Sequence, residues 1–286
     1  MERASEQGRG AARERSAPET EAGAEVTPRV DVLGVRISAI TMGDAVASIA
    51  GWIDRRASHY VCVTPAHGVM ECREDPELRA IFNGSGLTTP DGMSIVWLLR
   101  LRGHARVERV YGPDLMLAVC GHSIAEGWRH FLFGGEEGVA ELLAERLRTR
   151  FPELQIGGTL TPPFRPLSPE EDGEVVRAIN AARPDVVWVG LSTPQQERWM
   201  AAHVGRLTAP VLVGVGAAFD FLSGRKPQAP RWMQHWGLEW LFRLATEPRR
   251  LAPRYAKYPL FAALALLQAV QTRRSAGPDA RPKLRA

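Results

Sequence analysis

The sequence predicts an α/β fold: a Rossmann-like parallel sheet with helices on both faces, followed by a basic helical C-terminal appendage. Three observations carry that prediction. Continuous apolar runs at 60–65, 129–133, 185–190 and 210–216 are the mark of strands buried on both faces. Each ends in a turn rich in glycine or proline, and stretches of helical periodicity lie between them. From Arg225 onward the character changes: thirteen Lys or Arg stand against three Asp or Glu, with tryptophans interleaved among the arginines.

The formal net charge of +4 therefore hides an acidic body, about −6 over the first 224 residues, and a basic end. Such asymmetry points to an anionic partner, whether nucleic acid, a phospholipid surface or a phosphorylated ligand. Nucleic acid is the weakest of these, because the basic excess comes with Trp and a Leu/Ala run rather than a groove-reading motif. Apolar residues at 45% and charged residues at 24% supply material for a full core. No run reaches the roughly 18–20 apolar residues that span a bilayer, and the N-terminus has no apolar core of a secretory signal. Cys62, Cys72 and Cys120 have no metal spacing; this sparse, odd set suits a reducing cytoplasm, with each thiol a small buried hydrophobe.

Four segments are expected. Residues 1–28 are rich in Glu, Arg, Ala, Gly and Ser and read as a disordered leader. The core spans 29–224, the Trp/Arg-rich, membrane-associating appendage 225–272, and a disordered tail 273–286. In the core, Val30 to Ile37 alternates as a short hairpin would. Residues 42–55 have helical periodicity, with Ala45, Ile49, Trp52 and Ile53 on one side. The strand at 60–65 is followed by a helix at 77–82 and a turn at 88–92, then by a helix at 93–101. Gly112-Pro113 breaks the chain, with Asp114 as the cap of a helix reaching Cys120. Phe133-Gly134-Gly135 is a strand, glycine turn and helix start, the arrangement that brings a nucleotide close to backbone N–H groups. A strand end at 156–158, a Pro-rich loop at 161–169, a helix at 169–182 and the strand at 185–190 follow. A helix at 198–203 and the strand at 210–216 complete the core. The run at 258–270 either lies at a membrane interface with its tryptophans and arginines or packs on the core.

The stretch Thr88-Thr89-Pro90-Asp91-Gly92 presents Asp91 at a strand-to-helix connection, where α/β folds place their chemistry. Asp91 reads either as the N-cap of the next helix or as a general base. Loops at the ends of successive strands carry Thr64, Asp91, Gly134-Gly135, Gln196 and Phe219-Asp220. That set lacks a Ser-His-Asp order, a second catalytic carboxylate and an Asp-x-Asp metal clamp. One acid in a glycine-lined crevice, with arginines to neutralise a leaving diphosphate, fits a transferase using a nucleotide-activated donor. The other reading is a non-catalytic nucleotide- or membrane-binding module.

Several strings occur together and in order: Asp31-Val32-Leu33-Gly34-Val35, Thr64-Pro65, Pro90-Asp91-Gly92-Met93, Arg109-Val110-Tyr111-Gly112-Pro113-Asp114-Leu115, Phe133-Gly134-Gly135, and Pro194-Gln195-Gln196-Glu197. Gly214-Val215-Gly216 with Phe219-Asp220, Gly237-Leu238-Glu239-Trp240 and Glu247-Pro248-Arg249-Arg250 complete the set. The sequence resembles the WecG/TagA/CpsF glycosyltransferases from about Val30 to Tyr258. The resemblance implies inverting, metal-independent transfer from a UDP-sugar, N-acetylmannosamine or another hexose derivative, to a polyprenyl-diphosphate-linked saccharide. The setting it implies is exopolysaccharide, teichoic acid or capsule synthesis, by a peripheral protein on the cytoplasmic face of the plasma membrane, often a homo-oligomer, with no cofactor. It makes Asp91 the base and sets Arg109 against the donor diphosphate. Thr64 and Gln196 match its strand-end threonine and its Pro-Lys-Gln-Glu glutamine, and Arg243, Arg249 and Arg250 match the arginines of an appendage closing over the site. His67, Gly134, Gly135 and Asp220 are further candidates for substrate contact. Two departures bear on which sugar is held: Ala66 followed by His67 replaces a usual asparagine, and Gln228-Ala229-Pro230 replaces Arg-Ala-Pro.

Overall fold

Strands β1 (Arg29–Val32) and β2 (Val35–Ser38) form the expected antiparallel hairpin. It turns at Leu33 and Gly34, both at positive φ (54° and 91°), the two-residue turn that matches strand twist. The computed structural model describes residues 27–275; of the leader expected over 1–28, residues 1–26 lie outside them, and of the tail expected over 273–286, residues 276–286. Helix α1 (Met42–Asp54) begins with a capping box between Thr41 and Asp44 and buries Ala45, Ile49 and Ile53, as the periodicity predicts.

The main sheet then alternates with helices. Its elements are β3 (His59–Thr64), α2 (Ala66–Glu74), α3 (Pro76–Gly84), β4 (Leu87–Pro90), α4 (Met93–Leu101) and α5 (Gly112–Glu126). There follow β5 (Arg129–Gly134), α6 (Val139–Arg150), β6 (Gln155–Leu160), α7 (Pro169–Ala182), β7 (Val186–Gly190), α8 (Gln195–His203), β8 (Val211–Gly214) and α9 (Ala218–Leu222). All six strands pair in parallel in the order β4-β3-β8-β7-β5-β6. Side chains along each strand alternate between two cores. Phe131, Phe133, Val187, Val189 and Leu212 enter one with α2, α3, α4 and α8. Leu132, Trp188, Val211 and Val213 enter the other with α1, α5, α6 and α9. The fold class is as the sequence predicts, and the three cysteines are free and buried.

Three local expectations differ. The supposed turn at 88–92 is mostly strand: Leu87–Pro90 pairs with β3, and only Asp91 and Gly92 connect to α4. Pro90 is accommodated because β4 is an edge strand, where a missing N–H costs no ladder bond. Asp114 does not cap α5. The helix starts earlier, with Tyr111 as cap and Pro113 in its first turn, where proline's absent N–H is not needed. Helix α2 was not foreseen; no side chain caps it, and burial of Val69, Met70 and Cys72 holds it in place.

The C-terminal segment comprises α10 (Arg231–His235), α11 (Glu239–Thr246), α12 (Pro248–Tyr255) and α13 (Tyr258–Ser275), so the last helix runs three residues into the expected disordered tail. Helix α13 buries Phe261, Ala265 and Ala269 in the first core. Gln268 ties it to the hairpin, accepting from the Leu33 N–H (3.0 Å) and donating to Asp31 (2.6 Å). Its other side exposes Leu260, Leu266, Leu267 and Val270. The chain here thus packs on the core along one face and leaves an apolar face in solvent. No helix among the described residues is long and apolar enough to cross a membrane.

Candidate active site

Because the six strands are parallel, their C-terminal ends face one side, and the connections there surround a cavity of about 1170 Å³. β5 leaves through α6 on one face of the sheet toward β6, and β7 leaves through α8 on the other toward β8. The crevice opens between strands whose connections diverge in this way. Gly134 and Gly190 end these two strands in backbone contact. A Cβ on Gly134 would lie 2.7 Å from the Gly190 carbonyl carbon, and Gly134 has φ +118°. Gly135 (φ +81°) gives its N–H to the Gly190 carbonyl (3.0 Å) and lines the cavity.

Asp91 sits at the cavity wall on the β4–α4 connection. Its N–H bonds the Thr64 carbonyl (3.2 Å), so β3 fixes its backbone. The helix cap is Gly92, without a side-chain hydrogen bond, so the carboxylate of Asp91 is not spent on capping. Arg109 stands behind it, outside the cavity lining. The Arg109 Nε donates to the Asp91 carbonyl, and Nη2 lies 3.4 Å from Asp91 Oδ1. Nη2 makes a shorter bond, 2.6 Å, to Glu239 Oε2 on α11. Glu239 Oε1 accepts the Tyr111 hydroxyl (2.9 Å), and the Arg109 guanidinium stacks 3.9 Å above the Tyr111 ring. Burial, outweighing the pull of Arg109 and helped by the like charge of Glu239, raises the Asp91 carboxyl to about 6. Its Oδ2 has no hydrogen-bond partner among the described residues.

Cations also line the cavity: Arg165 before α7, Lys226 before α10, Arg243 on α11, and Arg250 and Arg254 on α12. Lys226 bonds Asp220 (2.8 Å) and Glu247 (3.2 Å), and Glu247 in turn holds Arg250 (2.7 Å). Arg243 lies 5.3 Å over the Phe221 ring, and its buried Nε has no partner among the described residues. His67 on α2 is held neutral: burial, then Arg254, Arg243 and Lys257, lowers it to about 3. Its Nε2 is buried and unpartnered among the described residues, as is Oε1 of Gln196. Gln196 Nε2 donates to the buried Glu197 (2.9 Å), which also takes the Thr193 hydroxyl (2.9 Å). That bond fixes the amide so that its oxygen is left to a ligand donor.

The structure thus gathers Asp91, His67, Gly135, Gln196, Asp220, Arg243 and Arg250 on one cavity. Four sequence candidates stand elsewhere. Thr64 is fully buried, with its hydroxyl bonded to the Cys62 carbonyl (2.9 Å). Gly134 lies beneath the surface against Gly190, Arg109 stands behind Asp91, and Arg249 is exposed outside the lining. Glu239, Tyr111, Lys226 and Arg254 were not among the sequence candidates. Glu239 and Tyr111 lie inside strings the sequence had marked, but nothing local shows that residues 128 positions apart share a hydrogen bond. Among the described residues no three His, Cys, Asp or Glu side chains gather to hold a metal ion.

A family model described as the Glycosyl transferase WecG/TagA/CpsF family matches residues 30–275. Two similar proteins are both named N-acetylglucosaminyldiphosphoundecaprenol N-acetyl-beta-D-mannosaminyltransferase. The one from Bacillus spizizenii is 27% identical over 199 residues, covering 70% of this chain and 76% of the relative. The one from Bacillus subtilis (strain 168) is 26% identical over the same shares.

Proposed function

Since the chain belongs to the WecG/TagA/CpsF family of glycosyl transferases, we propose that it moves a hexose derivative from a UDP-sugar to a polyprenyl-diphosphate-linked saccharide with inversion. N-acetylmannosamine as the sugar, and an N-acetylglucosaminyl diphospholipid as the acceptor, follow from the names of the two relatives.

One observation carries the reading. A single carboxylate raised to about 6, with a free oxygen, faces the same cavity as Lys226, Arg243, Arg250 and Arg254. Asp91 Oδ2 takes the proton from an acceptor hydroxyl as its oxygen attacks the anomeric carbon. The bond from that carbon to the diphosphate breaks, and UDP leaves with the electron pair. Arg243, Arg250 and Arg254 offset the charge that develops on the diphosphate. Gln196 Oε1 accepts from a sugar hydroxyl or amide N–H, and neutral His67 offers a second polar contact.

The exposed apolar side chains suit a lipid-borne acceptor. Trp97 and Leu101 on α4, Trp232 and Trp236 at α10, Trp240 and Leu241 on α11 and the Leu face of α13 would rest on the cytoplasmic leaflet. The test is a transfer assay on a lipid-linked monosaccharide with a panel of UDP-sugars, read by mass spectrometry. Product formation that Asp91→Asn abolishes supports the reading, and a folded Asp91→Asn protein with near-normal transfer overturns it.

A further inference from the structure

Glu239 is 8% exposed at the start of α11, and it spends both carboxylate oxygens on residues flanking the proposed base: Arg109 and Tyr111. Two carboxylates therefore compete for one guanidinium. Arg109 Nη2 is 2.6 Å from Glu239 and 3.4 Å from Asp91. The plane of that guanidinium is set by the Tyr111 ring below it and by the bond from Nε to the Asp91 carbonyl. With Glu239 gone, Nη2 would have one carboxylate within reach, and a small rotation would close a short pair on Asp91. Such a pair stabilises the ionised form and occupies its lone pairs, which makes a poorer base.

We propose that Glu239 is a positioning residue for transfer: by holding Arg109 and Tyr111 it keeps Arg109 from closing a full ion pair on Asp91, leaving that carboxylate able to accept a proton. The proposal rests on the reading of Asp91 as the base. The titratable and charged groups that bear on Asp91 come from several elements. Arg109 and Tyr111 come from the chain before α5, Glu239 and Arg243 from α11, Tyr255 from α12 and Tyr258 from α13. His67 on α2 lines the same cavity and is neutral. Glu239 is the acid in this set, and its charge opposes that of Arg109.

Because Glu239 comes from the C-terminal segment, it also makes the base depend on that segment being docked. This dependence differs from the part played by Arg243, Arg250 and Arg254, which face the cavity rather than the back of Asp91.

The experiment is the pH dependence of kcat/KM for transfer by the full chain, comparing the parent with Glu239→Gln and Glu239→Asp. Glu239→Gln keeps the shape and an acceptor for Tyr111 but loses the charge. It is expected to lower kcat about tenfold or more, leave donor KM within about twofold, and move the acidic limb to lower pH. Glu239→Asp is expected to restore part of both. As a readout independent of turnover, the Asp91 carboxyl is titrated by carbon NMR in the full chain, its resonance identified by its loss in Asp91→Asn. A lower midpoint in Glu239→Gln supports the proposal. An unmoved midpoint, or a profile of unchanged shape in a folded variant, overturns it. Near-normal transfer by Asp91→Asn would instead overturn the reading of the base, whatever Glu239 does.

Discussion

Arg109 makes its closest side-chain hydrogen bond to Glu239, 2.6 Å away, and reaches the Asp91 carboxylate only at 3.4 Å. Together with the bond to the Asp91 carbonyl and the stack on Tyr111, this commits the guanidinium to building the site rather than lining it. Arg109→Lys should therefore damage the chemistry more than donor binding. A lysine cannot serve these acceptors in one plane while stacking on a ring. We expect kcat to fall about 100-fold with donor KM little changed, measured by steady-state kinetics. A donor KM that rises by the same factor would instead put Arg109 on the diphosphate.

Asp91→Asn should lose about 100-fold or more in transfer, the range for removing a general base, yet gain stability at neutral pH. The folded-state carboxyl is raised to about 6 from 3.8, so between those values the folded chain holds a proton that the unfolded chain releases. Stability therefore falls as pH rises through that window, and the penalty persists at pH 7. It amounts to at most about 3 kcal/mol, since burial is the largest cause. Thermal unfolding at pH 7 should favour the asparagine variant, and the advantage should vanish near pH 4. A variant less stable at pH 7 would show that the attraction to Arg109 outweighs burial.

The cavity arginines should act on the nucleotide. Arg243→Gln removes a cavity-lining guanidinium whose buried Nε has no partner among the described residues. A charge-assisted bond to a diphosphate is worth roughly 1.5–3 kcal/mol, so UDP affinity by titration calorimetry should drop about tenfold or more. Arg249→Gln, at an exposed site outside the lining, should leave it unchanged. Equal losses at both positions would mean that the segment closes differently around the nucleotide.

How much of this was legible in the sequence depends on range. The central strands announced themselves because burial on both faces makes β5, β7 and β8 continuously apolar, and helices such as α4 and α7 carried period and boundary signals. Strand β4 was hidden: four residues with a proline look like a turn until β3 lies beside them. Helix α2 was hidden because tertiary burial, not capping, holds it. In the site, Asp91 and Gln196 were readable from their place at strand ends. Glu239 was not, since its place there is defined by hydrogen-bond partners 130 and 128 positions away. Thr64 was read as a contact; its hydroxyl is buried on the Cys62 carbonyl, and its own carbonyl accepts the Asp91 N–H.

Gly134→Ala should be severely destabilising. The added Cβ would stand within 2.9 Å of three Gly190 backbone atoms, at φ +118°, a conformation that side chains resist. Backbone cannot yield as a flexible side chain can, so β5 and β7 would have to part at the crevice. We expect a loss of about 2–4 kcal/mol in denaturant unfolding. Gly103→Ala, at positive φ in open space, should cost about 1 kcal/mol. Similar costs at both sites would mean that strain in φ, and not the strand contact, sets the penalty.

Trp232 and Trp236 are 61% and 72% exposed, one turn apart in the first turn and at the C-cap of α10. The helix is anchored independently of them, through buried Gln234, whose Nε2 donates to the Ala229 carbonyl (2.7 Å). Replacing both with serine should leave the melting temperature unchanged within about 1 °C, since neither ring is needed for packing. Membrane association should suffer, because indole rings favour the headgroup boundary and the nearby arginines alone give a salt-sensitive attraction. We expect the fraction floating with anionic vesicles to fall at least about fivefold at physiological ionic strength, with a smaller loss in low salt, where the arginines are less screened. Unchanged flotation of the double variant at both ionic strengths would mean that these tryptophans do not meet the lipid, and that the Leu face of α13 or another surface does.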